Sequence, residues 1–229
     1  MTKLRFIKIL VKILVKNASK RVLIGRYKDK NDAEKGRFIQ AEIQEFLKLT
    51  FLNFDQLLKE ADLKSIKSHG NRVNVMLTVL TLAGYRAFIQ KGIPNEYATE
   101  LIADMGWKVY VQMLKIPRFV AKIIYRNPLK QMNLMLQLLM IYPFSGPGYI
   151  RKTWVEVNKI CTFWYRCPPF EYIKEHGTSE ELEFFHNTWC KYDFAAPQVM
   201  VKGGFYKRPH TLSSGDKVCD MEWYASINP

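Results

Sequence analysis

All four cysteines of this chain lie in its last third, and three of them have neighbours that are suited to chemistry. Cys167 precedes a proline, Cys190 is followed by Asp193, and Cys219 is followed by Asp220. A cysteine supplies either a thiolate nucleophile or a soft metal ligand, and both uses need acidic or imidazole groups nearby. The same segment holds three of the four histidines, which are His176, His186 and His210. This clustering predicts a cysteine-centred site, whereas the alternative is inert packing, as expected for Cys161.

The elements before this segment are predicted to be helical. Apolar residues at helical spacing predict three helices, over residues 35–58, 71–91 and 95–115. The stretch 116–144 contains a further apolar run that is too short to span a bilayer. We interpret it as a buried helix, a dimer face that would permit a homo-oligomer, or a second membrane-contacting surface. Proline and glycine at 143–148 then mark the main boundary in the chain.

The segment after this boundary has the pattern of a small sheet with short helices. β-branched and aromatic residues predict a strand over 150–165. Thr178 and Glu181 form a capping-box pattern, which predicts a helix over 179–193 after a shorter one that ends at Gly177. A hairpin of 198–208 and 217–225 closes the chain.

These elements predict an α+β fold, with a helical N-terminal layer packed on a small C-terminal antiparallel sheet. The predicted divisions are a basic N-terminal helix over residues 1–30, a helical part over 31–145, and an α+β part over 146–229 that carries the cysteine-centred site.

The chain has a net charge of +14, and residues 1–28 contain nine cations and no acidic residue. Arg5, Lys8, Lys12 and Lys16 recur at helical spacing beside the aliphatic residues of 4–15, which is typical of an interfacial helix that binds an anionic membrane. Deletion of such a helix would leave unfolding of the rest nearly unchanged. In the alternative, the aliphatic face packs on the protein and the lysines are solvated. Nucleic acid is disfavoured as a partner because no recognised binding signature accompanies the charge.

Few cysteines and no signal-peptide pattern predict a cytoplasmic protein, with peripheral attachment to the inner face of the membrane if the N-terminal helix binds lipid.

The order and spacing of several short motifs resemble the L-2-amino-thiazoline-4-carboxylic acid hydrolase family. The resemblance spans about residues 70–225, and its most specific part is the terminal Gly215-Asp216 with Cys219-Asp220. The other motifs are Gly84-Tyr85-Arg86-Ala87-Phe88, Cys167-Pro168, Glu175-His176-Gly177, Cys190 with Asp193, and Thr211-Leu212. The resemblance implies hydrolysis of a small cyclic amidine, by opening of a thiazoline ring to N-carbamoyl-cysteine, without a cofactor.

The chemistry of that reaction assigns expected roles to these residues. Attack on an amidine carbon needs a thiolate or an activated water and a proton donor for the leaving group. We expect Cys219 to be the nucleophile, with a thiolate that forms at unusually low pH. Asp193 and Asp216 are the proton-handling candidates, and His176 is the expected general base.

Three further residues are expected to contact substrate: Cys167, Cys190 and Asp220. The two cysteines could instead be redox partners, and Asp220 is expected to point away from Cys219 because adjacent residues of a strand face opposite sides. Each acid or base also has a structural alternative, since Asp216 could form a turn, Asp193 could end a helix, and His176 could interact with a helix dipole.

Two other classes of function remain alternatives. Cys167, Cys190, Cys219 and one histidine have the ligand types of a zinc site, but no close Cys-x-x-Cys pair is present, so we expect no metal. The second alternative is a non-enzymatic membrane-peripheral binding module in which the cysteines only pack.

Overall fold

A computed structural model describes residues 2–226, with side chains from residue 6 onward. The side chains of Lys3, Leu4 and Arg5, which belong to the predicted interfacial helix, lie outside this description. The chain forms two compact units, Met1–Leu63 with Val75–Val109, and Lys64–Asn74 with Tyr110–Pro229. The predicted α+β architecture is confirmed, because a helical N-terminal part precedes a C-terminal four-stranded antiparallel sheet.

The first unit is helical. Its elements are α1 (Thr2–Leu23), a 3-10 turn (Ala33–Lys35), α2 (Gln40–Glu60), most of α3 (His69–Gln90) and the first part of α4 (Asn95–Ile124). Phe46 of α2 stacks on Phe88 of α3 with ring centroids 4.0 Å apart, beside the buried side chains of Ile43, Phe54, Leu82 and Leu101. By length and hydropathy α3 could cross a membrane, but 72% of its most apolar window is buried in the protein, as in core helices that pass the same test.

The N-terminal helix packs on the rest of the first unit along part of its surface. Val11, Ala18 and Leu23 are buried, so this helix is part of the first unit. Lys8 and Lys12 lie against α2, where both form ion pairs with Asp55. Phe6, Ile9, Leu10 and Ile13 are exposed, and so are Lys16, Asn17 and Arg21 further along the helix. Deletion of residues 1–28 would therefore remove core side chains, contrary to the expectation that it leaves unfolding unchanged.

The second unit combines helices with the sheet and includes the first residues of α3. It contains the rest of α4, then α5 (Pro128–Ile141), α6 (Pro168–His176), α7 (Ser179–Thr188) and α8 (Tyr192–Met200). Met132, Met135, Leu136 and Leu139 of α5 are buried in a core that also includes Ala196, Met200, Met221 and Trp223. Of the three interpretations of this apolar run, α5 thus matches the buried helix.

The sheet has the strand order β1-β2-β4-β3 and is antiparallel throughout. Its strands are β1 (Ile150–Val155), β2 (Lys159–Arg166), β3 (Phe205–Lys207) and β4 (Cys219–Tyr224). The single predicted strand over 150–165 is wrong, because the chain reverses at 156–158 and the Glu156 N–H donates to the Lys159 carbonyl over 2.8 Å. The predicted closing hairpin corresponds to β3 and β4, although its first residues, 198–200, belong to α8.

The predicted helix over 179–193 is present only in part. Its capping box is confirmed, since the Thr178 hydroxyl accepts from the Glu181 N–H and the Glu181 carboxylate accepts from the Thr178 N–H. The helix ends at Thr188, whose hydroxyl donates to the Phe184 carbonyl over 2.8 Å, a local bond that competes with helix geometry. A 3-10 turn (Trp189–Lys191) then leads into α8.

We predict that Leu23→Ala lowers the free energy of unfolding by about 2–5 kcal/mol, because Leu23 is 0% exposed and its truncation leaves a cavity. Ile9→Ala on the same helix is the control, and it should change stability by no more than about 0.5 kcal/mol. Denaturant titration of both variants measures the difference. Equal effects would show that α1 is not integrated into the first unit.

Candidate functional site

Three cysteines reach one polar cluster in the second unit from three separate parts of the chain. Cys167 lies where β2 passes into α6, Cys190 lies in the 3-10 turn before α8, and Cys219 is the first residue of β4. The Cys190 and Cys219 thiols are close enough to act electrostatically on Cys167. All four cysteines are free, and Cys161 on β2 contacts Glu156 instead. The structure thus brings together the three cysteines that the sequence singled out.

A part-buried ion pair lies beside these thiols. Arg208, directly after β3, donates from Nη1 to the Oδ2 atom of Asp193 over 3.4 Å and from Nη2 to the Cys190 carbonyl over 2.9 Å. The Arg208 side chain is only 4% exposed and lies over the rings of Phe194 and Tyr206. Because an unpaired buried guanidinium is costly, Asp193 and the Cys190 carbonyl together hold Arg208 in place.

Asp193 has the ionisation behaviour of a general acid. Burial raises its pKa to about 6, although the charge of Arg208 and a hydrogen bond from Tyr206 act to lower it. These two contacts are 3.4 and 3.5 Å long, and both use Oδ2. A carboxyl with such a pKa exists in both protonation states near neutral pH, so it can donate a proton to a leaving group.

Hydrogen bonds connect two of the thiols to a histidine. The Nδ1 atom of His186 lies 2.8 Å from the Ser213 hydroxyl, which lies 3.3 Å from the Cys190 sulfur and 3.2 Å from the Thr211 hydroxyl. The Thr211 hydroxyl in turn lies 3.4 Å from the Cys219 sulfur. Burial, with the charges of Lys191 and Arg208, lowers the pKa of His186, so its imidazole is neutral at pH 7. A neutral imidazole bonded to a hydroxyl can act as a general base.

The loop that carries Thr211 and Ser213 is held by Asp216. Its Oδ2 atom accepts from the Thr211 N–H over 2.8 Å, and its own N–H donates to the Thr211 carbonyl over 3.3 Å. Gly215 adopts a left-handed conformation with φ of 93°, which lets the 3-10 turn over Leu212–Ser214 end there. Asp216 therefore has the turn-forming role that was the alternative to proton transfer.

Two predicted site residues lie elsewhere. His176 is exposed at the end of α6. Its ring and that of Tyr172 form a T-shaped pair with centroids 4.6 Å apart. The Asp220 carboxylate accepts from the backbone N–H of His210 over 2.7 Å and lies 2.6 Å from its Nδ1 atom. Burial alternates along β4, so Cys219 points inward and Asp220 outward, as strand geometry predicted. His186, which the sequence did not single out as a base, takes the position expected of His176.

The expectation of an easily ionised Cys219 is wrong. Burial raises the pKa of Cys219, even though hydrogen bonds from Thr211 and the Leu212 N–H act to lower it. Burial likewise raises the pKa of Cys190 to about 11 and that of Cys167 well above its usual value. At neutral pH all three are thiols, so use of any of them as a nucleophile would require proton transfer from its sulfur.

Further buried polar groups adjoin Cys167. The Tyr149 hydroxyl accepts from Asn74 over 3.0 Å and interacts with the Cys167 thiol. Asn71, one helical turn earlier on α3, is 1% exposed, and within residues 2–226 neither atom of its amide has a partner. The Trp164 indole N–H is also buried and has no hydrogen-bond partner among these residues. Unpaired buried donors and acceptors are costly, and they suit a site that bonds a polar substrate.

The close approach of Asn71 explains a glycine. A Cβ atom at Gly148 would lie 1.9 Å from Nδ2 of Asn71 and 3.0 Å from Pro168, the residue after Cys167. The backbone at 148 thus packs directly against the Asn71 amide. Any side chain at this position would displace that amide from the vicinity of Cys167.

The zinc alternative has no ligand set in the structure. In the described part of the chain, no three His, Cys, Asp or Glu side chains are arranged to hold a metal ion.

Comparisons with family models, with curated proteins and with solved structures found no match to this chain.

We predict slow alkylation of Cys190 in the folded protein. With a pKa of about 11, its thiolate is roughly 300-fold scarcer at about pH 7.5 than that of an unfolded cysteine with a pKa of about 8.5. Iodoacetamide labelling read by mass spectrometry, before and after unfolding in guanidinium, measures the ratio. Rapid labelling of the native protein would contradict the buried, neutral thiol.

Proposed function

We propose that the protein is a hydrolase that opens a small cyclic amidine with Cys219 as nucleophile. The observation that carries the proposal is the meeting of three free thiols with the Asp193–Arg208 pair in the interior of the second unit. Nucleophile, acid and base are the three functions that amidine hydrolysis needs, and Cys219, Asp193 and His186 supply them. Cytoplasmic location remains part of this proposal, since free thiols persist in a reducing compartment.

The charges of the cluster favour a zwitterionic substrate. A cationic amidinium beside Asp193 would stabilise a thiolate on Cys219 and so offset the effect of burial on that thiol. Arg208 uses one N–H toward Asp193 and one toward the Cys190 carbonyl. Its remaining N–H groups suit a carboxylate. A five-membered 2-amino-thiazoline that bears a carboxylate has both charges.

The first step of the proposed mechanism forms a covalent intermediate. The Cys219 proton passes through Thr211 and Ser213 to Nδ1 of His186, and the thiolate adds to the amidine carbon. The bond from that carbon to the ring sulfur breaks, and Asp193 gives its proton to the departing sulfur. The substrate fragment is then attached to Cys219 as an isothiourea.

The second step releases the product. Water attacks the same carbon, with Asp193 now acting as base, and the bond to the Cys219 sulfur breaks. The imidazolium of His186 returns its proton to Cys219 through the same hydroxyls. Both nitrogen atoms stay bonded to the amidine carbon, so no ammonia is released. The sum is amidinium substrate plus water giving an N-carbamoyl-thiol and one proton released to solvent, with all protein groups restored.

Membrane attachment through residues 1–28 is a second candidate function. The specific observation is the exposed set Phe6, Ile9, Leu10 and Ile13 on α1. Because Lys8 and Lys12 are engaged with Asp55, apolar insertion would contribute more than these two charges.

We predict that Cys219→Ala abolishes ring opening of L-2-amino-thiazoline-4-carboxylate, by roughly a thousandfold or more in kcat/KM. Cys161→Ala is the matched control, since this cysteine is also buried but contacts Glu156, and its activity per folded molecule should be unchanged. Appearance of free thiol measures the reaction. Equal activity of the two variants would remove Cys219 from the mechanism, and a wild-type protein without activity would exclude this substrate.

We predict a bell-shaped pH dependence of kcat/KM that falls as the pH rises through the Asp193 pKa of about 6. The reaction needs neutral His186, whose pKa is lowered from 6.5, and protonated Asp193, whose pKa is about 6. Activity should therefore rise as His186 loses its proton and fall as Asp193 loses its own. His186→Gln should remove the rising limb, and Asp193→Asn should remove the falling limb. A limb that persists in the matching variant would assign that titration to another group.

A further inference from the structure

The second half of α4 exposes a large apolar stripe. Ile116, Phe119 and Ile123 are 75, 66 and 69% exposed, and at helical spacing they lie on one side of the helix. Leu114 and Ala121 lie on the opposite side and are buried in the core of the second unit. The helix thus has two apolar faces, of which only one is covered by the described residues. Large exposed hydrophobic residues in a continuous stripe mark a contact surface.

Cations flank this stripe. Lys115 and Lys122 are exposed next to it on the same helix. The stretch 105–155 contains no Asp or Glu, and it contains eight cations: Lys108, Lys115, Arg118, Lys122, Arg126, Lys130, Arg151 and Lys152. Among the described residues, none of the eight forms an ion pair with a carboxylate. The stripe therefore lies on a stretch of the chain that carries positive charge and no negative charge.

We infer that this α4 face, defined by Ile116, Phe119, Ile123, Lys115 and Lys122, docks on the surface of an anionic phospholipid bilayer. A helix with apolar side chains on its outward face and lysines beside them inserts the apolar groups at the level of the lipid headgroups. The lysines are attracted to acidic headgroups, which are the complementary charge. A protein partner would need both an apolar groove and an acidic rim, whereas an anionic bilayer presents both features over any area.

The inference is independent of the proposed hydrolase reaction and of the α1 surface. The α4 face belongs to the second unit, and its residues are not among the side chains of the cysteine cluster. The α1 residues Phe6, Ile9 and Ile13 belong to the first unit. Loss of vesicle binding from changes in one set, and not in the other, identifies the surface that binds.

The test is flotation of the full-length protein with vesicles of phosphatidylcholine that contain about one third phosphatidylserine. The triple variant Ile116→Ser, Phe119→Ser and Ile123→Ser should bind at least about a hundredfold more weakly, since each buried side chain contributes close to tenfold. Lys115→Glu with Lys122→Glu should weaken binding and reduce its dependence on salt. Vesicles of pure phosphatidylcholine should bind much less of the wild-type protein.

Two matched controls complete the design. Val157→Ser, at a residue that is 99% exposed elsewhere in the second unit, should bind as wild type. The variant Phe6→Ser, Ile9→Ser and Ile13→Ser should retain the binding that depends on α4. Unfolding temperatures of all variants confirm that these surface changes leave the fold intact.

Three results would overturn the inference. The first is unchanged flotation of the α4 triple variant, including the case in which only the α1 variant loses binding. The second is no flotation of the wild type, or equal flotation with neutral vesicles. The third is a dimer of the wild type in sedimentation velocity that the α4 triple variant abolishes, because that result assigns the face to a second copy of the chain.

Discussion

The candidate site depends on the burial of one guanidinium. Arg208 can lie in the interior only because Asp193 faces it and the Cys190 carbonyl accepts a second hydrogen bond. Both partners come from the short stretch where α7 has ended and α8 begins: Cys190 lies in the 3-10 turn and Asp193 in the first turn of α8.

Burial also determines the chemistry that the site can perform. Burial raises the pKa of Asp193 and of all three thiols, so it favours the uncharged form of each of these groups. Burial lowers the pKa of His186, so a larger fraction of its imidazole is neutral at pH 7. The hydroxyls of Ser213 and Thr211 join the two kinds of group. Acid and base are thus separated by environment, as the reaction requires.

The sequence predicted features that depend on local rules. The α+β architecture, the capping box at Thr178 and the opposite orientation of Cys219 and Asp220 follow from spacing and strand geometry, and the structure has all three. It did not predict the reversal at 156–158, because β-branched and aromatic residues continue on both sides of a turn without glycine or proline. The choice of His176 over His186 failed for a different reason, since the contact with Ser213 is 27 residues distant in sequence. No local pattern encodes such a contact.

One helix relates the outward surface of the second unit to its interior. Leu114 and Ala121 of α4 pack in the same core as Cys219, and Tyr110, at the start of this part of the helix, lies with its ring centroid 5.6 Å from that of Tyr192, next to Asp193. The charge of Asp193 also contributes to the raised pKa of Tyr110. A surface that binds through Ile116 and Phe119 would therefore hold the helix that supports the acid. Close-packed interiors transmit displacement. A bilayer bound to the α4 face would therefore fix the position of the cysteine cluster relative to the membrane surface.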